Sequence, residues 1–270
     1  MSPISPKPAA QRMPVLFVGH GSPMNAIEDN QWSRGFRALA GLVTRPKAIL
    51  AISAHWFVPG TFTTGNQRPE TIHDFGGFPE ELYQQQYPAS GDPALARRVA
   101  ALAGERASVR DDWGLDHGTW SVLCHLLPKA DVPVVQLSID QRLTGAQHLA
   151  LGQRLAPLRD EGVLILASGN VTHNLRHAFT SSRNGETATP EWASGFDADA
   201  ARAAEQHDGA FLSRALESQH GRMSHPSPDH YLPLLYAAGA SDAQDDVTFP
   251  IDGFDLNSLS MRSILWGGKR

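Results

Sequence analysis

Four runs along the chain have the length and the β-branched content of buried strands: VLFVGH from Val15, AILAISAH from Ala48, VPVVQLSID from Val132 and VLILASGN from Val163. A strand buried on one face alternates with a period of two, so unbroken Val- and Ile-rich runs read as strands covered on both faces, as in parallel sheets. Between them the spacing turns helical. NAIEDNQWSRGFRALAGL follows the first run, DPALARRVAALAG starts at Asp92 with Pro93 in its first turn, and TGAQHLALGQRLAPLRDEG runs from Thr144 to Gly162. Further on, ASGFDADAARAAEQHDGAFLSRALES reads as one long helix and SPDHYLPLLYAAGA as a shorter one with Asp229 near its start. The closing VTFPIDGFDLNSLSMRSILW alternates around Asp252-Gly253, which suggests a hairpin or edge strands. Together the pattern predicts an α/β fold with a mostly parallel central sheet covered by helices on both faces. TTGNQRPETIHDFGGFPEELYQQQYPASGD and TSSRNGETATPEW fit neither element type and read as long loops, functional or disordered.

Composition narrows the class. With 270 residues there is ample core for one catalytic domain, expected over 13–270 behind a loose tail at 1–12. That opening, MSPISPKPAAQR, has no apolar centre and does not read as a signal peptide. The net charge of −5 comes from 23 basic and 28 acidic residues mixed along the chain, with no basic stripe, so nucleic acid is not an expected partner. Cys124 is the only cysteine, which excludes an intrachain disulfide or a thiolate zinc cluster and fits a reducing cytoplasm. No apolar run approaches the roughly 20 residues of a membrane span. The oligomeric state leaves no signature in the sequence.

Candidate chemistry gathers where the apolar runs stop. His20 and Ser22 follow the first, His55 closes the second, Asp140 the third, and Ser168, Asn170 and His173 the fourth. The carboxyl ends of parallel strands line the ligand crevice of such sheets, so separate strands deliver imidazoles, and with them a metal site, to one edge. His230, at or just before a helix start, can reach the same mouth, and His117 sits in a turn between Asp116 and Gly118. A lone histidine after a strand is usually a loop hydrogen-bonder, but three strand-end histidines point to a shared site. His73, His125, His148, His177, His207 and His220 read as surface or satisfied core side chains, and His225 carries little weight. Clustered imidazoles without cysteine suit iron, zinc, copper or nickel. Zinc-bound water would make a hydrolase or lyase. Ferrous iron with open positions would bind substrate and dioxygen, and four histidines closing around zinc would make a non-catalytic protein. Spacing alone does not separate these. GHGSPMNAIEDN lacks the glycine spacing of a dinucleotide site, no phosphate-binding loop occurs, and Ser22 is not in a nucleophile elbow.

The segments LFVGHGSPMNAIED, ISAHWF, TIHDFGGFPEELYQQQYPA, WGLDHGTWSVL, PVVQLSID, SGNVTHNLR and PDHYLPLLYAAGA, spread from residue 14 to about 240, resemble the class III extradiol ring-cleavage dioxygenases of the 4,5-DOPA dioxygenase type. The resemblance implies cleavage of a small aromatic diol such as DOPA by O2 at Fe(II), with Zn(II) also plausible as the bound metal. It assigns His20, His55 and His230 as metal ligands, the last where the wider superfamily uses a glutamate. His173 matches the acid/base position and is also a possible fourth ligand, and His117 becomes a second active-site histidine. Phe75, Phe78 and Tyr87 are expected to sandwich the ring, and Asp74 to orient a ligand or an amine on the substrate.

Overall fold

In the computed structural model, which describes residues 12–269, the four apolar runs form the centre of one eight-stranded sheet. Its strands are β1 Val15–Gly19, β2 Ala48–Val58, β3 Thr61–Thr64, β4 Ala107–Arg110, β5 Val134–Asp140, β6 Val163–Gly169, β7 Val247–Ile251 and β10 Ser263–Trp266, in the order β4-β3-β5-β2-β6-β1-β10-β7. A separate hairpin joins β8 Phe254–Asp255 to β9 Leu259–Ser260. The central pairs β5–β2, β2–β6 and β6–β1 are parallel, whereas β3, β10 and β7 run antiparallel to their inner neighbours.

The helices are α1 Gln31–Leu42, α2 Glu80–Tyr83, α3 Pro93–Ala103, α4 His117–Leu126, α5 Gly145–Leu155, α6 Leu175–Arg183, α7 Glu191–Glu205, α8 Gly209–Arg214, α9 Gln219–Ser224 and α10 Leu232–Ala240. Alternate residues of each central strand face opposite cores. Val15, Phe17, Leu50, Ile52 and Ile165 pack with α3, α5, α7 and α10, while Leu16, Val18, Ile49, Ala51 and Leu166 pack with α1 and α4. Cover on both faces explains why β1, β2 and β6 are largely apolar, whereas β5 points Gln136, Ser138 and Asp140 to one face, all three buried. Local caps set the helix starts: Asp92 accepts from Ala94 N and Leu95 N, and Thr144 forms a capping box with Gln147.

Four expectations need correction. The helix after the first strand starts only at Gln31, because Asn30 caps it and Ser22 caps a separate 3-10 turn at Pro23–Ala26. The long helix breaks after α7, where His207 takes a left-handed φ of 53° and Asp208 caps α8. TSSRNGETATPEW is not all loop, since α6 runs through its first residues. His117 is not in a turn but is the first residue of α4, a helix whose residues are buried on nearly every side and so show no amphipathic stripe. The expected tail lies outside the described residues, except for Arg12, which pairs with Asp160 at 3.3 Å and Asp242 at 3.1 Å. Among the described residues no helix is long and apolar enough to cross a membrane.

Candidate metal centre

β1 and β6 end in register at Gly19 and Gly169, and β2 carries on past its Ser53–Ser168 pairing. His20 and His55 are thereby delivered to the carboxyl edge of the sheet. His117 joins them from the first turn of α4, where Asp116 caps the helix by accepting from Thr119 N at 3.2 Å. His230 comes from the loop before α10, and its carbonyl accepts from Asn170 N at 2.9 Å. Two glycines permit these approaches. A Cβ on Gly169 would lie 2.1 Å from the His230 carbonyl, and one on Gly118 would lie 2.4 Å from Ser53 Oγ and 3.0 Å from His55 Cδ2.

Three imidazoles are tethered through Nδ1, and a fourth, His117, has its Nδ1 against a carboxylate oxygen without the alignment of a hydrogen bond. His20 Nδ1 lies 2.9 Å from Ser168 Oγ, and Ser168 donates to the Gly118 carbonyl at 2.5 Å. A carbonyl only accepts, so the hydroxyl gives its proton to Gly118 and takes one from His20 Nδ1. Asp74 faces two rings, with Oδ2 3.1 Å from His55 Nδ1 and Oδ1 3.0 Å from His117 Nδ1, and accepts the His117 backbone N–H at 2.9 Å. Asp229 holds His230 Nδ1. A neutral ring that donates from Nδ1 keeps its lone pair on Nε2, the arrangement found behind metal-ligating histidines. The Nε2 atoms of His20 and His55 face each other at 3.1 Å, two lone pairs that a cation between them would reconcile.

The electrostatics suit a cation. Burial first, and the neighbouring imidazoles second, hold His20, His117 and His230 below the ordinary histidine value, leaving them unprotonated at neutral pH. At His55 burial also opposes charge, but Asp74, Asp116 and Asp229 outweigh it and draw the ring upward. The same carboxylates would draw in a metal ion. Two groupings share the His20–His55 edge. Ring nitrogens of His20, His55 and His117 lie within 4.8 Å of one another. Ring centroids of His20, His55 and His230 form a near-equilateral triangle with sides of 5.1, 5.3 and 5.1 Å. Three imidazoles tetrahedrally bound at about 2.1 Å place their centroids about 5.2 Å apart, which is the spacing of the second grouping, while the ring nitrogens themselves gather within 4.8 Å in the first. His55 and His117, at 3.8 Å, crowd too near for that geometry. The ring of His173 stacks on that of His230 at 3.5 Å and 5°.

Above the imidazoles lies a cavity of about 270 Å³ lined by all five of these histidines, Ser22, Phe75, Phe78, Leu175, Phe179, Asp255, Leu256 and Leu259 among others. Phe75 and Phe78 sit on the wall as expected, edge to face with centroids 5.3 Å apart. Tyr87 does not: it is 2% exposed in the core and donates its hydroxyl to the Leu127 carbonyl. Asp140 stays apart too, paired with Arg142 at 2.8 Å. Asp74, expected to orient a ligand or an amine on the substrate, lies behind the His55 and His117 rings. Asp74→Asn would leave one oxygen acceptor for two rings, and we expect metal affinity to fall by about 10- to 100-fold in competitive chelation. The other histidines make structural bonds: His73 Nε2 to Gln85 O, His125 Nε2 to Asn25 O, and His225 Nε2 to Val171 O.

Comparison with known proteins agrees with this geometry. The chain is 46% identical over 268 residues to a protein of Escherichia coli (strain K12) named 4,5-DOPA dioxygenase extradiol, covering 96% of each. It is 40% identical to the Beta vulgaris protein of that name, covering 92% of this chain and 94% of the other. The crystal structure of an uncharacterized protein from Escherichia coli K12 superposes with a TM-score of 0.80 at 41% identity, covering 94% of this chain and 99% of that one. Residues 14–259 match the family described as the catalytic LigB subunit of aromatic ring-opening dioxygenase, and on that match and this identity the chain belongs to the LigB family and is an extradiol, aromatic ring-opening dioxygenase.

Proposed function

We propose that the enzyme opens the ring of a small catechol of the DOPA type with O2, using ferrous iron held by His20, His55 and His230. The names of the relatives support the substrate class, and the family supports ring opening over the zinc hydrolase or lyase that the histidines alone left open. The observation that carries the assignment of roles is the difference in tethering. His20, His55 and His230 are fixed through Nδ1 and arranged at the spacing one ion needs. His173, by contrast, has no hydrogen bond to its ring among those described, and it stacks beside His230 on the cavity wall. A ligand needs a locked tautomer, whereas a proton carrier needs a ring nitrogen free to change state.

The chemistry that bound iron supplies is Lewis acidity toward the catechol oxygens and an electron route to dioxygen, which redox-inert zinc lacks. The protein does the rest. Phe75 and Phe78 press on the aromatic ring, and the volume of about 270 Å³ suits a single substituted ring. Burial, with His225 adding to it, lowers His173 to about 3. Its ring is therefore neutral at working pH before substrate enters, and a catecholate bound beside it would raise its basicity, so that it takes a catechol hydroxyl proton and returns it as the opened product forms. His117, tied to Asp74, offers Nε2 to the substrate or to oxygen from the far side of His55. A single cysteine, Cys124, fits a reducing compartment, and we place the enzyme in the cytoplasm.

Anaerobic reconstitution tests the metal. With Fe(II) we expect oxygen uptake and a yellow ring-opened product from DOPA. With Zn(II) we expect tight binding and no uptake, since zinc outranks ferrous iron for nitrogen ligands. Uptake with zinc, or none with iron across a panel of catechols, would overturn the assignment.

A further inference from the structure

Apart from the histidines and Ser22, the cavity wall is apolar, with one charged exception. Asp255, at the end of β8, is the one carboxylate among the lining residues, and no lysine or arginine lines the cavity with it. One of its oxygens, Oδ1, accepts from Leu256 N at 3.0 Å, and no ion pair to it occurs among the described residues. The charged group nearest in effect is Glu28, which is also negative. Burial chiefly, and Glu28 after it, push the Asp255 carboxyl above its usual value. An anion so placed is costly to keep unpaired, and a cation arriving with the substrate would relieve that cost. The backbone holds it there: Leu256 and Asn257 take φ of 44° and 66°, and Asn257 ties the hairpin to the Glu186 carbonyl. A leucine in the left-handed region is a strained choice that persists only where the surroundings impose it.

We propose that Asp255 is a specificity-determining residue that recognises a cationic amine on the side chain of the catechol, so that the site selects ammonium-bearing catechols over neutral or acid-only ones. This rests on the catechol reading above and extends it from the ring to its substituent. Asp255 and Glu28 repel a substrate carboxylate, and the lining offers no cationic side chain to bind one. The amine, and not the acid, of an amino-acid catechol is therefore the recognised group. Dopamine should be accepted at least as well as DOPA, and 3-(3,4-dihydroxyphenyl)propionate poorly.

The test compares kcat/KM of the Fe(II)-loaded enzyme for dopamine, catechol and that propionate, in the wild type and in Asp255→Asn. The amide keeps an oxygen for Leu256 N, so the turn retains its cap. A charge-assisted contact in a partly buried wall is worth about tenfold or more. We expect dopamine to exceed the propionate by at least that factor, through KM, and the ratio to fall toward one in the variant. A ratio unchanged by the substitution, or a wild-type preference for the propionate, would overturn the proposal. A second measurement needs neither turnover nor a variant. Tyramine and 3-(4-hydroxyphenyl)propionate are titrated into the wild type by calorimetry, where the amine should bind about tenfold tighter and equal affinities would refute the role of Asp255. If no catechol consumes oxygen, the metal and substrate reading fails by itself, while the tyramine titration still decides for or against Asp255.

Discussion

His55→Ala should abolish oxygen-dependent ring opening and strip the site of its metal under dialysis. His55 belongs to both groupings that can hold an ion: its Nε2 faces His20 Nε2 at 3.1 Å, and its ring is one corner of the His20–His55–His230 triangle. It is also the ring toward which Asp74, Asp116 and Asp229 concentrate negative potential. Its removal would delete a proposed ligand outright, so affinity should fall by more than the about 100-fold that follows loss of an outer hydrogen-bond partner. Asp74 would lose one of its two imidazoles but keep His117 and the His117 backbone N–H, so the loop should stay in place. The measurements are metal content after anaerobic dialysis, oxygen uptake, and circular dichroism to verify the fold. A folded variant that still holds one equivalent of iron would contradict the assignment.

His173→Gln should separate chemistry from metal binding. Glutamine keeps polarity and approximate size but cannot relay a proton, and general acid–base groups contribute about 10²- to 10⁴-fold. We expect kcat to fall within that range while iron content stays near one equivalent, because in the proposed assignment His173 stacks on the ligand His230 and is not itself a ligand. Its backbone N–H, bonded to the Ser224 carbonyl at 3.0 Å, is untouched by the change. Loss of the metal in this variant would make His173 a ligand after all.

The sequence revealed the parts of the site that hang on continuous, doubly buried strands. His20 and His55 were legible because each interrupts a run that is apolar apart from Ser53, His20 just past β1 and His55 within β2, and the carboxyl edge of a parallel sheet is where ligands bind. His230 was legible from its place before α10. What stayed hidden are partnerships closed across long stretches of chain. Ser168 meets His20 across 148 residues, and Asp74 reaches His117 N across 43. Nothing local marks either contact. Asp229 was the exception, lying directly before His230, where an Asp-His pair could have signalled a carboxylate tethering the adjacent ring. The outer wall from α6 and the β8–β9 hairpin was missed for a similar reason. Phe179 is 52% exposed and Leu256 36%, and their burial pattern resembles an ordinary surface, because they cover a cavity and not a core. α4 was read as a turn since total burial erases the periodicity that reveals a helix.

The most direct test of the account is the fate of labelled dioxygen. With ¹⁸O2, Fe(II)-loaded enzyme and DOPA, mass spectrometry of the product trapped at early times should show two ¹⁸O atoms incorporated, with no turnover under strict anaerobiosis. Turnover that continues without oxygen, carrying label only from H2¹⁸O, would contradict a ring-opening dioxygenase and make the histidine centre a hydrolytic one.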